Sequence, residues 1–134
     1  MEDVLDVYER AYNPAYPVVC FDETSKQLVQ HVRTPVEPAR GRARRVDDEY
    51  KRCGTANIFT AVEPLTGNVI VEATEHRAST DCAWFLKSII DDVYPDATRI
   101  VLVMDNLSTH TAAAFYETFP PAEARRLATK IEPH

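Results

Sequence analysis

Two aspartates carry the chemistry that this sequence offers. Asp105 closes the run Arg99-Ile100-Val101-Leu102-Val103-Met104-Asp105-Asn106, and Asp22 closes Pro17-Val18-Val19-Cys20-Phe21-Asp22-Glu23. Each follows a short, unbroken apolar run rich in β-branched residues, the pattern of a strand buried on both faces. A carboxylate at the end of such a strand is costly unless something pairs with it. If the two strands lie side by side and parallel, Asp22 and Asp105 face one point. Two converging carboxylates are what a divalent cation requires. Either aspartate alone reads more simply as a strand-terminal turn residue. The pair favours a metal site.

The elements that must position these acids follow from hydrophobic periodicity and turn chemistry. Residues 1–16 read as a lead-in linker: a short helical turn at Asp3-Val4-Leu5-Asp6-Val7-Tyr8, broken by Asn13-Pro14-Ala15-Tyr16-Pro17. A first strand is expected at 17–22 and a second at 27–33, with Thr24-Ser25-Lys26 as the hairpin turn. Residues 34–53 form the longest irregular stretch, with Pro35, Pro38 and Gly41. Strands at 54–62 and 69–74 flank the turn Pro64-Leu65-Thr66-Gly67-Asn68 and make a hairpin. Ser79-Thr80-Asp81 are expected to cap an amphipathic helix marked by Cys82, Phe85, Leu86, Ile89, Ile90 and Val93, which ends before Pro95. Strand 99–104 follows. A helix then runs from about Ser108-Thr109 to Phe119, where Pro120-Pro121 stops it; a last helix covers 122–128, and 129–132 begins like a strand. The helix before strand 99–104 serves as a right-handed crossover. The fold class is therefore α/β, with antiparallel hairpins followed by parallel strands in one mixed sheet.

Composition bounds the functions available. The chain has 134 residues, a size suited to one domain, with 45 % hydrophobic and 27 % charged residues, as in ordinary water-soluble domains. It contains no apolar run long enough to span a bilayer, and Met1-Glu2-Asp3-Val4 lacks the apolar segment of a secretory signal. Cys20, Cys53 and Cys82 are odd in number and widely spaced, so they indicate neither a zinc site nor a disulfide framework. A reducing cytoplasm is the expected setting. The net charge of −6 argues against nucleic acid as a partner of the chain as a whole. Residues 40–53 reverse that sign locally: Arg40, Arg42, Arg44, Arg45, Lys51 and Arg52 face only Asp47, Asp48 and Glu49. Arginines on a long loop can grip phosphates bidentately, whereas a solvated charge run is the simpler alternative.

Several runs, in this order and at this spacing, give the chain a resemblance. They are Met1-Glu2-Asp3-Val4-Leu5, Val19-Cys20-Phe21-Asp22-Glu23-Thr24, Asp48-Glu49-Tyr50-Lys51-Arg52, Gly54-Thr55-Ala56-Asn57-Ile58-Phe59, Tyr94-Pro95-Asp96-Ala97 and Val101-Leu102-Val103-Met104-Asp105-Asn106-Leu107-Ser108-Thr109-His110. The sequence resembles the catalytic core of DDE transposases, and more closely the insertion-sequence branch related to mariner-type elements. That resemblance implies a ribonuclease H-like fold over 17–134, with Asp22 and Asp105 as the first two acids of the catalytic triad. It implies two Mg²⁺ (or Mn²⁺) ions bridging carboxylates and scissile phosphate, DNA as substrate at element ends and target, and cleavage followed by strand transfer. The family's third acid, a Glu, follows a Thr-Pro-Lys-His-Gly-Ser-Trp stretch beyond the final strand. This chain ends at Glu132-Pro133-His134, so the expectation is a core truncated at its C-terminus, partnered by the missing segment or another transposase chain.

Other side chains near the acids divide between roles. Glu23 alternates to the face opposite Asp22 and is either a solvated carboxylate or a support. Asn106 orients a metal-bound water or caps the following helix, and His110 touches a phosphate or fills a first-turn position. His31 and His76 lack ligand spacing, and Trp84 reads as a partly buried helix aromatic. Three functions compete: a DNA-cutting transposase core, an inert remnant that only binds DNA or a partner chain, and a phosphoacceptor signalling domain. The last also gathers acids around Mg²⁺, but on alternating parallel β-α units and not on antiparallel hairpins. Modification of Asp105 by acetyl phosphate would identify it.

Overall fold

The computed structural model describes residues 2–33, 37–45, 49–75, 78–105 and 108–134, with the side chains of 108–111 outside the description. Helix α1 (Glu2–Tyr8) precedes strands β1 (Val18–His31), β2 (Tyr50–Glu63) and β3 (Asn68–Thr74). Helix α2 (Ser79–Ser88) continues into a π-helical turn at Ile89–Val93. Strand β4 (Ile100–Met104), helices α3 (Ser108–Thr118) and α4 (Pro121–Lys130) and strand β5 (Ile131–Pro133) complete the chain. The five strands form one sheet in the order β3-β2-β1-β4-β5. Pairing is antiparallel from β1 to β2 and β2 to β3, and parallel from β1 to β4 and β4 to β5. This is the mixed sheet with flanking helices of a ribonuclease H-like fold.

Alternation along the strands sorts the sheet into two faces. Val19, Phe21, Phe59, Ala61, Ile100 and Leu102 point to one side and are buried by Phe85, Leu86, Ile89, Phe115 and Leu127 of the helical layer. Phe21, Phe59 and Phe85 form the centre, with ring centroids 5.5–6.1 Å apart. Val18 and Val101 point to the other side, where Val7 of α1 packs on them and Val103 adds to the contact. Fully buried Val7 makes α1 a packed element against the sheet. Arg10 and His134 tie it down: Arg10 donates to Glu132 at 3.1 Å, and the His134 ring lies 2.8 Å from Asp3 and 3.0 Å from Glu132.

Several boundaries differ from the sequence expectation. The hairpin turn at Thr24-Ser25-Lys26 does not form; one continuous strand runs from Val18 to His31. No Gly or Pro interrupts 18–31, so nothing forces a reversal there. The irregular stretch is correspondingly shorter, because β2 starts at Tyr50 and carries Lys51 and Arg52. Register slips between Gln27 and Val29. Gly54, at φ +105° within the opposing bulge, adopts a backbone that side chains resist. Ser79, Thr80 and Asp81 do not cap α2; Ala78 holds that position without a side-chain hydrogen bond. The Ser79 hydroxyl donates instead to Glu117 of α3 at 3.1 Å. Pro121 begins α4 at its first turn, where its fixed φ suits the helix, and α4 runs on to Lys130.

Candidate metal and DNA site

The site begins with register. β1 and β4 pair in parallel as Val18↔Val101, Val19↔Leu102, Cys20↔Val103 and Phe21↔Met104. The next residue of each strand is an aspartate, Asp22 and Asp105. Neighbouring strands run about 4.8 Å apart, so Asp22, inside β1 where its pairing with β4 stops, and Asp105, just past the end of β4, stand side by side in the chain path. Phe21 and Met104 pack on the helical layer, so alternation directs Asp22 to the opposite face, with Val18 and Cys20. Asp105 follows Met104 directly, in phase with Val101 and Val103. Both aspartates are exposed. The backbone N–H of Glu23 donates to Asp22 Oδ1 at 2.8 Å, which restricts the carboxylate's rotation.

Other groups divide between the two faces. Glu23 lies on the helical side, where it faces Cys82; burial first, and then the negative charge of Glu23, push the Cys82 thiol up to about 11. Cys20 is on the side of Asp22, with its sulfur 3.2 Å from the Tyr8 hydroxyl. Among the described residues no group of three or more His, Cys, Asp or Glu stands close enough to hold a metal ion. Asn106 lies outside the described residues, and His110 is in the first turn of α3 with its side chain outside the description.

The basic cluster is split by the structure. Arg40, Arg42, Arg44 and Arg45 are exposed in the connection between β1 and β2, where Ala39 and Arg42 exchange backbone hydrogen bonds of 2.8 and 3.0 Å. Lys51 and Arg52 are consecutive on β2, so they point to opposite faces of the ribbon. Lys26, expected in a turn, lies on β1; the uninterrupted run 24–31 without Gly or Pro carries the signal of a strand there.

A mixed five-stranded sheet with Asp22 inside its central strand β1 and Asp105 directly after the parallel neighbour β4, flanked by helices, is consistent with a ribonuclease H-like nuclease fold. Antiparallel β1-β2-β3 pairing is not the alternating parallel sheet of a phosphoacceptor domain. The family model of the DDE superfamily endonuclease matches residues 17–134, and the chain belongs to that family. Endonucleases of this superfamily act on DNA and use divalent metal ions. Among curated proteins, none matches the chain. Among the described residues, no helix is long and apolar enough to cross a membrane.

Proposed function

We propose that this chain is a transposase catalytic core of the mariner-related insertion-sequence type, in which Asp22 and Asp105 hold Mg²⁺ or Mn²⁺ against a DNA phosphodiester. The observation that carries the reading is the parallel register of β1 and β4, which ends one residue before an aspartate on each strand. The donor set suits the ion, since exposed carboxylate oxygens favour hard Mg²⁺ or Mn²⁺ over zinc. When bound, such an ion polarises the phosphate and makes a water or a DNA 3′-hydroxyl nucleophilic near neutral pH. The chain's own residues supply position. Asp22 stands on a strand paired on both sides, and its Oδ1 is held by the Glu23 N–H. Arg40, Arg42, Arg44 and Arg45 bind the sugar-phosphate backbone without reading bases. Asn106 and His110 follow Asp105 in sequence and are assigned support of a bound water and a phosphate.

A second reading has one observation in its favour: among the described residues no third acid joins the pair. On that reading the chain binds DNA, or a partner chain, without cutting it. Two measurements separate the readings. Mn²⁺ binding followed by electron paramagnetic resonance should weaken at least about tenfold in both Asp22→Asn and Asp105→Asn if these two oxygen donors hold the ion. Nicking of plasmid DNA with Mn²⁺ that is lost in both variants supports the cutting core. Ion binding and DNA binding without nicking support the second reading. Unchanged Mn²⁺ binding in both variants would sink the metal site altogether.

A further inference from the structure

β1 and β2 extend beyond the body of the molecule. From Thr24 to His31 on β1, and from Tyr50 to Thr55 on β2, every residue is exposed. Pairing nonetheless continues through Gln27↔Thr55 and, past the bulge, through Val29↔Arg52 to His31↔Tyr50. Past Ser25 and Asn57, where β3 ends, the result is a two-stranded arm whose two faces differ. The alternation that sends Phe21 and Glu23 to the helical side sends Ser25, Gln27, Val29 and His31 there too. The hydroxyl of Ser25 meets buried Asn57 at 3.1 Å on that side. Asp22, Thr24, Lys26, Leu28 and Gln30 take the opposite, open face. Lys51 pairs with Gln30, and Cys53 Sγ lies 3.8 Å from Gln30 Oε1, which places Lys51 and Cys53 on the open face as well. Arg52, opposite Val29, belongs to the helical side.

We propose that the open face of this arm is a phosphate track, on which Lys26 and Lys51 bind the backbone of the duplex whose scissile phosphodiester sits at Asp22 and Asp105. The inference rests on the reading of Asp22 as part of the cutting site. Lys26 is about 14 Å along the strand from Asp22, and the level of Gln30 and Lys51 about 27 Å, at roughly 3.4 Å per residue. The longer distance matches about eight base pairs of duplex. No acidic side chain lies on this face between Asp22 and Lys51, and among the described residues neither ammonium is in an ion pair. The chain as a whole carries a net charge of −6, and α1 presents Glu2, Asp3 and Asp6 on the side of the sheet that Asp22 shares. An uncompensated pair of cations therefore selects the path that DNA takes out of the site. Lysines act there as point charges on phosphates and leave base identity unread. The right-handed twist of a two-stranded ribbon turns the face gradually, so the track curves along the arm.

The test uses the 134-residue chain and a fluorescein-labelled duplex longer than the arm, with anisotropy read over a salt series. Lys26→Ala and Lys51→Ala should each weaken binding by roughly threefold to tenfold at low salt and reduce the slope of log K against log salt by about one. Arg125→Ala, a charge removed from the exposed side of α4, should bind as wild type. Arg52→Ala should lose clearly less than Lys51→Ala. A second readout is chemical: duplex should slow iodoacetamide alkylation of exposed Cys53, which shares the face. Equal losses for Arg52→Ala and Lys51→Ala, or wild-type binding by Lys26→Ala, overturn the track while leaving the DNA reading intact. A wild-type chain that binds no duplex at low salt overturns the DNA reading, and the track with it.

Discussion

At the scale of single residues, the chain keeps two kinds of carboxylate. Glu63 is 4 % exposed and accepts hydrogen bonds from the hydroxyls of Thr66 at 2.7 Å and Tyr94 at 2.9 Å. Burial, reinforced by that bond, pushes the Tyr94 hydroxyl up to about 12. Glu63 thus joins the β2–β3 turn to the end of the π-helical turn. Asp22 and Asp105 are exposed, and among the described residues neither holds another element in place. The two kinds should respond oppositely to substitution. Glu63→Ala leaves the half-buried Tyr94 hydroxyl without its acceptor and is expected to cost about 1–3 kcal/mol in urea unfolding. Asp22→Asn and Asp105→Asn should stay within about 0.5 kcal/mol of wild type, as surface changes do, while losing ion binding. A large stability loss in the aspartate variants would mark them as structural acids.

At the scale of elements, the helical layer is locked by an ion-pair network. Lys87 of α2 donates to Asp91 of the π-helical turn and, at 2.6 Å, to Glu123 of α4. Arg126 of α4 grips Asp91 through two bonds of 2.8 and 2.9 Å and also holds Glu123 at 2.7 Å. Hydrogen bonds from Arg126 first, and Lys87 second, hold the Glu123 carboxyl at about 2, well below its ordinary 4.5. Arg126 likewise lowers Asp91. A depressed carboxylate stabilises the folded state above its unfolded value and loses that contribution as it protonates. Stability from this network is therefore present above about pH 4.5 and fades as pH falls toward 2. Glu123→Gln should lower the melting temperature at neutral pH, and the gap to wild type should close between pH 4.5 and 2. A gap independent of pH would show that Glu123 acts by packing alone.

At the scale of the whole molecule, the two faces of the sheet have separate tasks. The helical side carries the core, with Phe59 stacked between Phe21 and Phe85 at 6.1 and 5.5 Å. Phe59→Ala should cost about 3–5 kcal/mol, read as a lower urea midpoint with an unchanged slope. The other side carries α1 near β1 and β4, then the aspartates, then the projecting arm. A ligand as long as duplex DNA can reach the acids there without disturbing the core. With the two tasks on separate faces, Phe59→Ala is expected to change stability without a matching change in the proposed DNA contact at the other face.

The sequence by itself determined the acid pair and the elements that carry it. Unbroken apolar runs at 18–21 and 100–104 admit little but buried strands, and each ends in an aspartate. The periodicity of 82–93 marks the crossover helix that makes those strands parallel. Local signals failed where tertiary pairing governs. Thr24, Ser25 and Lys26 have turn-like side chains, yet continuous pairing with Asn57, Ala56 and Ile58 keeps them extended. Ser79 could cap a helix, but Glu117 of α3 claims its hydroxyl. The basic cluster at 40–53 was visible as charge, while its division between a connecting segment and the two faces of a ribbon, where Lys51 and Arg52 part, was not. Which way Lys51 and Arg52 point depends on a register that only pairing across β1 and β2 sets, because a slip of one residue exchanges the faces.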